Sequence, residues 1–126
     1  MKEFARVSYS SIPEGFRRLA TIINKLINEH PYHDITTITS ADSPYTATGR
    51  YRTILCDCTS GAITVNLPSF TDFEGSFSIK KTDSSSNAVT VDPAGSETID
   101  GMTTITWAAQ YDSYTIASNG ASGNIV

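Results

Sequence analysis

The only two cysteines, Cys56 and Cys58, are separated by one residue on a predicted strand. Neighbours at i and i+2 share one face of a strand, and a disulfide between them would be strained. Two thiolates also fall short of the four ligands of a structural zinc site. We therefore predict two buried free thiols at these positions and no metal.

The two histidines form the other group with metal-binding chemistry. His30 and His33 lie close to Asp34 in the sequence, and three copies of this group around a symmetry axis could surround an ion. The same residues also suit a polar linker that follows a helix. We favour the linker and predict no metal and no cofactor.

Six aspartates mostly stand beside Gly, Ser, Asn or Pro, where a short carboxylate caps a turn by accepting backbone hydrogen bonds. They are Asp57, Asp72, Asp83, Asp92, Asp100 and Asp112. The sequence contains no calcium-loop pattern and no nucleophile elbow. Two carboxylates close in space would suit a glycosidase, but short loops leave little room for a cleft. We predict that the protein is not an enzyme and has no catalytic residue.

Aromatic residues offer a binding chemistry, because exposed rings stack on sugars. The chain has six tyrosines, five phenylalanines and one tryptophan, Trp107. A single tryptophan on an alternating strand is more often a core or subunit-contact residue. Binding of a host cell-surface glycan is therefore kept as an alternative.

Charge and hydropathy exclude two classes of partner. The formal net charge is -4 at pH 7 and no run of Lys or Arg exceeds two residues, so a phosphate backbone finds no basic surface. No apolar stretch approaches the ~20 residues of a membrane span, and the first ten residues lack the apolar core of a secretion signal. We expect no nucleic-acid binding, no membrane insertion and assembly in a cytoplasm.

A helix predicted over residues 12–30 organises the rest of the chain. Ser11 and Glu14 form a capping box, Pro13 suits the first turn and Pro31 ends the helix. Apolar residues recur at spacings of four and three, the a/d pattern of helices that pack on other helices. These predicted oligomer-interface residues are Ile12, Phe16, Leu19, Ile23 and Leu26. Apolar e and g positions widen the stripe and no second helix pattern follows, so we infer self-association.

The sequence predicts three parts: an N-terminal arm and helix (1–32), a connector (33–48) with one short strand at 35–39, and a β head domain (49–126). Short alternating runs between turn clusters predict six or seven strands in the third part. The runs are 53–58, 62–67, 76–81, 88–91, 103–108 and 113–117.

Alternation along these runs also predicts the core. The core residues are Ile63, Val65, Leu67, Phe77, Ile79, Val89, Val91, Ile105, Trp107, Tyr114 and Ile116. The predicted fold class is mainly β, with an N-terminal oligomerising α-helix followed by a small antiparallel β-sandwich or barrel-like head.

The predicted head contains three distinctive segments: a hairpin DCTSGAITVNLP (57–68), a strand pair IKKTDSSSNAVTV (79–91) and an IDG turn (99–101). Together they resemble a small β domain of tailed-bacteriophage virion proteins, especially fibres and spikes, over about residues 51–120. Such domains typically carry a Gly, Asn and Trp segment before the last strand, whereas Gly123 stands about where the Trp is expected. The last strand is therefore expected to be shortened or completed by a neighbouring chain. The resemblance implies a non-enzymatic virion part, usually a trimer.

The helix and the resemblance together predict a bacteriophage virion structural protein. We expect a homotrimeric head fibre or capsid decoration protein that binds another virion protein, of the capsid or the tail, through its N-terminal segment. The number three follows from the resemblance, because Ile at a with Leu at d favours two-stranded coils. The alternatives are a receptor-binding tail fibre or tail adaptor, and a carbohydrate-binding module.

Overall fold

Residues 34–126, the range that the computed structural model describes, form nine β-strands and one turn of 3-10 helix, Ser40–Asp42. The strands are β1 Asp34–Thr39, β2 Tyr45–Thr46, β3 Tyr51–Asp57, β4 Ile63–Asn66, β5 Glu74–Lys81, β6 Val89–Asp92, β7 Ile105–Trp107, β8 Ser113–Asn119 and β9 Gly123–Ile125. The prediction of a mainly β protein is confirmed for this range. The helix predicted over residues 12–30 lies outside it.

The chain alternates between two sheets. Sheet A has the strand order β1-β3-β5-β8-β9, and sheet B has the order β2-β4-β6-β7. From β1 to β6, odd strands join sheet A, even strands join sheet B, and neighbours within each sheet run parallel. These six strands form three stacked turns, to which β7, β8 and β9 add in antiparallel pairs. We call residues 34–126 the solenoid.

The antiparallel arrangement expected for the whole head is found only in the pairs that β7, β8 and β9 form, and the expected hairpin of residues 57–68 is wrong. β3 pairs with β1 and β5, while β4 pairs with β2 and β6, so the two strands of that hairpin lie in different sheets. The expected pairing of two strands within residues 79–91 is also wrong, because β5 and β6 lie in different sheets. Side chains alternate with the same period of two in an antiparallel hairpin and in the parallel strands of a solenoid, so the sequence pattern does not distinguish the two arrangements.

The residues that we expected to form a connector, 33–48, contain two strands of the solenoid. β1 pairs with β3 along its whole length, and β2 pairs with β4. Ala47 donates a further backbone hydrogen bond to the carbonyl oxygen of Asn66. Ile38 and Ala47 are buried members of the core. Residues 34–48 therefore belong to the same compact β unit as residues 49–126.

The core lies between the two sheets, and side-chain alternation predicts most of it. Of the predicted core residues, Tyr114 is partly buried against the core and all the others are buried. The pattern misses Phe70 and Ile99, which are also fully buried. Both lie in loops between strands, where no alternating neighbours reveal which side chains point inward.

The ring of Phe70 packs directly on the backbone of Gly123, the first residue of β9. A β-carbon at Gly123 would overlap carbon atoms of that ring. The Phe70 ring thus takes up space at the position where the resemblance led us to expect a tryptophan. β9 is three residues long and pairs with β8 of the same chain. The last strand is therefore short and is paired within the chain.

Gly123→Ala should lower the free energy of unfolding by about 1–3 kcal/mol, because the new methyl group must displace a ring inside a packed core. Urea unfolding followed by tryptophan fluorescence measures this change. Gly49→Ala is the matched control, because the space around Gly49 is open. The control should change stability by less than about 0.5 kcal/mol. Equal effects of the two substitutions would contradict the packing argument.

Candidate functional site

The predicted oligomer-interface residues, like His30 and His33, lie outside the described residues. The interface residues are Ile12, Phe16, Leu19, Ile23 and Leu26. Asp34, the described member of the histidine group, begins β1, and its Oδ2 accepts a hydrogen bond from Arg50 Nε at 3.2 Å. Within residues 34–126, no three His, Cys, Asp or Glu side chains are grouped in a way that could hold a metal ion.

Cys56 and Cys58 are free thiols inside the core, as predicted. Burial, together with smaller effects of the neighbouring Cys58 and Asp83, raises the pKa of the Cys56 thiol to about 12. Burial also raises the pKa of the Cys58 thiol. Because the thiolate is the nucleophile and the metal ligand, these protonated and inaccessible thiols are inert at neutral pH.

A buried lysine lies next to these thiols. Lys81 is the last residue of β5, opposite Cys56 of β3, and its side chain is 0% exposed. Its Nζ donates to Oδ2 of Asp83 at 2.8 Å, to the carbonyl oxygen of Asp83 at 3.0 Å and to that of Ser85 at 2.9 Å. The three N–H groups of the ammonium therefore have three acceptors.

The carboxylate of Asp83 also accepts hydrogen bonds from two backbone groups. Cys58 N donates to Oδ1 at 2.7 Å, and Ser85 N donates to Oδ2 at 2.9 Å. The carbonyl oxygen of Cys58 accepts from Ser85 Oγ at 3.1 Å and from Asn87 Nδ2 at 2.8 Å. We call Lys81, Asp83, Ser85 and Asn87 the lysine cluster. The side chains of this cluster form hydrogen bonds with both the N–H and the carbonyl oxygen of Cys58.

The lysine cluster fastens the turn after β3 to the loop after β5, and it contains no reactive group. Burial alone would raise the pKa of Asp83, but hydrogen bonds from Lys81, Ser85 and the Cys58 N–H outweigh it and hold that pKa well below its usual range. The carboxylate is thus ionised and fully hydrogen-bonded, and the neighbouring thiols are protonated. The cluster offers neither a general base nor a nucleophile.

Turn capping by aspartate was predicted, and two of the six aspartates have this role in the structure. Asp57 accepts from Thr59 N and Asp83 accepts from Ser85 N, whereas Asp100 accepts from Ile125 N of the distant strand β9 at 3.3 Å. For Asp57, the hydrogen bonds from the Thr59 side chain and N–H lower its pKa. These carboxylates therefore stabilise loops by accepting hydrogen bonds.

The lysine cluster is not among the predictions made from the sequence, although the sequence pattern contains evidence for it. Lys81 is in phase with Phe77 and Ile79, two predicted core residues, so alternation alone places its side chain inside. Asp83 follows two residues later in a serine-rich loop that can supply further acceptors. A lysine on the apolar face of a strand, followed closely by an aspartate, indicates a buried ion pair.

Arg52 is a second cation in phase with the core side chains of β3, at the opposite end of the strand from Cys56. Its guanidinium carbon lies 4.8 Å from the ring centroid of Phe77 and 5.5 Å from that of Phe73. Nε and Nη1 are buried and have no hydrogen-bond partner in the described part of the chain. Cation–π contact with the two rings compensates in part for the missing acceptors. Because both nitrogen atoms are inaccessible, they offer no open anion site.

Trp107 belongs to the core and cannot serve as a sugar-stacking platform. It is 7% exposed, its Nε1 donates to the carbonyl oxygen of Asp112 at 3.1 Å, and its ring packs on Tyr114. Tyr111, in contrast, is 63% exposed and has a φ of 67°, a conformation that a β-carbon disfavours. Its ring centroid lies 5.4 Å from Nζ of Lys80. Among the described aromatic residues, Tyr111 is the most accessible for recognition.

Comparisons with protein-family models and with curated proteins give no match to this chain. Among residues 34–126, no helix has the length and apolar character needed to cross a membrane. The function must therefore be inferred from the residues and contacts described above.

Asp83→Asn should destabilise the solenoid by about 3–5 kcal/mol at pH 7, because the buried ammonium of Lys81 loses its counter-charge. The folded-state pKa of Asp83 is depressed, so its contribution is present above the unfolded value of ~3.9 and is lost as the pH falls below that value. The gap in unfolding free energy between wild type and variant should therefore narrow below about pH 4.

Denaturant unfolding at a series of pH values measures this gap. Asp72→Asn, at an exposed carboxylate, is the matched control and should leave stability nearly unchanged. A gap between wild type and Asp83→Asn that stays constant from pH 7 to pH 2 would contradict the assigned role of the carboxylate.

Proposed function

We propose that this chain is a non-enzymatic structural protein of a tailed-bacteriophage virion, a short homotrimeric head fibre or capsid decoration protein. Residues 12–30 associate as a helix and bind the protein to another virion protein, and the solenoid is displayed outward. The proposal draws on the resemblance over residues 51–120 and on the a/d pattern of the helix. The virion, assembled in the host cytoplasm, is the expected location.

One observation carries the proposal: each of the three distinctive segments contains a loop that is hydrogen-bonded to another part of the solenoid. Segments 57–68 and 79–91 are joined by the lysine cluster. In the IDG turn, Asp100 and Gly101 have φ values of 49° and 80°, and Ile99 pairs with Met102. Residues whose roles are to stabilise turns suit a structural component better than an enzyme.

In solution, the full chain should sediment as a trimer, and Ile23→Asp with Leu26→Asp should dissociate it. Burying each of these side chains is worth ~1.5–3 kcal/mol, and symmetry multiplies the loss by the number of copies. Thr21→Asp with Asn28→Asp is the matched control, because both positions lie on the opposite side of the predicted helix. Analytical ultracentrifugation with light scattering measures the mass. Dissociation by both double variants, or by neither, would contradict the helix assignment.

Incorporation into virions tests the location. The Thr21→Asp, Asn28→Asp variant should be present in purified particles, and antibodies against the solenoid should label the capsid in electron micrographs. The Ile23→Asp, Leu26→Asp variant should be absent from the particles. Label at the tail tip would favour the tail-fibre alternative, and absence of the wild-type protein from particles would refute a virion role.

Receptor binding is the second candidate function, and the exposure of Tyr111 is the observation that favours it. We expect that purified wild-type protein does not compete with phage adsorption to host cells and that Tyr111→Ala leaves adsorption unchanged. Saturable binding at micromolar concentrations or tighter, weakened by Tyr111→Ala, would instead support the receptor-binding alternative. Trp107→Phe serves as a control for nonspecific loss of structure, because Trp107 is buried.

A further inference from the structure

The turn between β8 and β9 contains the only Asn-Gly pair of the sequence, Asn119 and Gly120. An asparagine that precedes glycine can lose its side-chain amide spontaneously, because no β-carbon on the glycine keeps the backbone nitrogen away from the carboxamide. Asn119 is exposed, and Gly120 has a φ of 89°, a conformation that favours glycine. The turn therefore favours the same glycine that makes the asparagine reactive.

The reaction is a cyclisation followed by hydrolysis. The backbone nitrogen of Gly120 gives up its proton and attacks Cγ of Asn119. A bond from this nitrogen to Cγ forms, the bond between Cγ and Nδ2 breaks, and Nδ2 leaves with the proton as ammonia. Water then adds to one of the two carbonyl carbons of the succinimide ring and breaks the bond from that carbon to the ring nitrogen. The product is aspartate or isoaspartate, and each adds one negative charge.

In the folded chain, the nitrogen that would attack is held by a buried hydroxyl group. Gly120 N donates to Oγ of Ser118 at 3.1 Å. Ser118 is 8% exposed, and its Oγ lies 2.8 Å from the carbonyl oxygens of both Phe70 and Phe73. The hydroxyl hydrogen is directed to these carbonyl groups, so a lone pair of Oγ accepts from Gly120. The proton that must leave is therefore directed to a buried, neutral acceptor and not to water.

The carboxamide of Asn119 is also held in place by hydrogen bonds. Its Oδ1 accepts from Ala121 N at 3.0 Å and from Ser122 N at 2.9 Å, while Asn119 N donates to the carbonyl oxygen of Ser122 at 3.3 Å. These bonds make the side chain a cap of the turn. Cyclisation moves both the carboxamide and the Gly120 N–H, so the hydrogen bonds of the closed turn must break first.

We propose that Asn119 is a site of spontaneous deamidation and that Ser118 holds the reaction back as long as the turn between β8 and β9 is closed. This inference goes beyond the proposed function and does not depend on it. The Ser118 hydroxyl joins Gly120 to the loop of Phe70 and Phe73, so opening of this part of the solenoid exposes the Gly120 nitrogen to water. Isoaspartate adds a carbon atom to the backbone, so the chain then keeps a permanent covalent record of the opening.

Timed incubation of the full chain at neutral pH, followed by peptide mapping with mass spectrometry, measures the rate of deamidation. A peptide with the sequence of residues 115–126 is the unfolded reference. Deamidation of Asn119 should be at least about tenfold slower in the folded chain than in the peptide, because only molecules with an open turn react. Asn124 is an internal control, because the β-branched side chain of Ile125 hinders attack, and it should stay unmodified in both samples.

Hydrogen exchange of the wild-type chain provides a measurement that needs no substitution. The Gly120 amide should exchange slowly, because its hydrogen bond to Ser118 must open first. Its protection factor should agree within about threefold with the ratio of the two deamidation rates, since both report the same local opening.

Ser118→Ala removes the acceptor and should speed deamidation in the full chain by about fivefold, the net effect of one hydrogen bond. Ser122→Ala is the matched control in the same turn, because the hydrogen bonds of Ser122 within the described range use its backbone atoms. The control should change the rate by less than about twofold. Circular dichroism verifies that both variants are folded. If Ser118→Ala is unfolded, the agreement between exchange and deamidation in the wild type decides.

Several outcomes would refute the inference. Deamidation of the folded chain at the rate of the peptide or faster, or none in either sample, would overturn it. Slow deamidation with rapid exchange of the Gly120 amide, or a folded Ser118→Ala variant that reacts at the wild-type rate, would refute the role of Ser118. None of these outcomes affects the trimer or the incorporation into virions, so the inference and the proposed function can fail independently.

Discussion

The buried ammonium group of Lys81 is the interaction on which the rest of the solenoid depends. Removing a charge from water is costly unless its hydrogen bonds are complete, and for Lys81 the loop after β5 supplies three acceptors. This arrangement requires the register in which Lys81 lies opposite Cys56. A shift of β5 by one residue would turn Lys80 inward and move Lys81 to the outer face. The ion pair therefore constrains the strand register as well as the loop.

Each turn of a solenoid ends a strand and leaves backbone groups without sheet partners, which would be costly if buried. Carboxylates from the next turn along the chain accept hydrogen bonds from backbone N–H groups that the sheets leave without a partner. At one edge Asp83 accepts from Cys58 N, and at the other Glu97 accepts from Phe70 N at 3.0 Å. Glu97 also accepts from Ser69 Oγ at 2.7 Å. Consecutive turns are thus linked by side chain to backbone hydrogen bonds outside the sheets, which explains why acidic residues recur in the loops.

The sequence predicts the strands and their inner faces well, because alternation depends only on which side chains meet the core. It does not predict which strands are neighbours, since β3 and β4 alternate identically in a hairpin and in a solenoid. The strand predicted at 35–39 matches β1, whereas β2 is not predicted because the threonine- and serine-rich sequence around it resembles a loop. The burial of the two thiols is predicted, whereas Lys81 and Arg52 are missed because charged residues are assigned to the surface by default.

Core packing determines which side chains form the inner faces of the two sheets but leaves their outer faces unconstrained. An edge strand in water is usually protected by lysine, proline or a covering segment. The outward side chains of β1 are instead Ile35, Thr37 and Thr39, and no described element pairs with the free edge of this strand. Sheet B, whose outer face is threonine, asparagine and aspartate, is suited to water on that side. The outer face of sheet A combines Ile35 and Leu55 with Lys80 on the middle strand, so the two outer faces differ in their aliphatic side chains and not in an absence of charge.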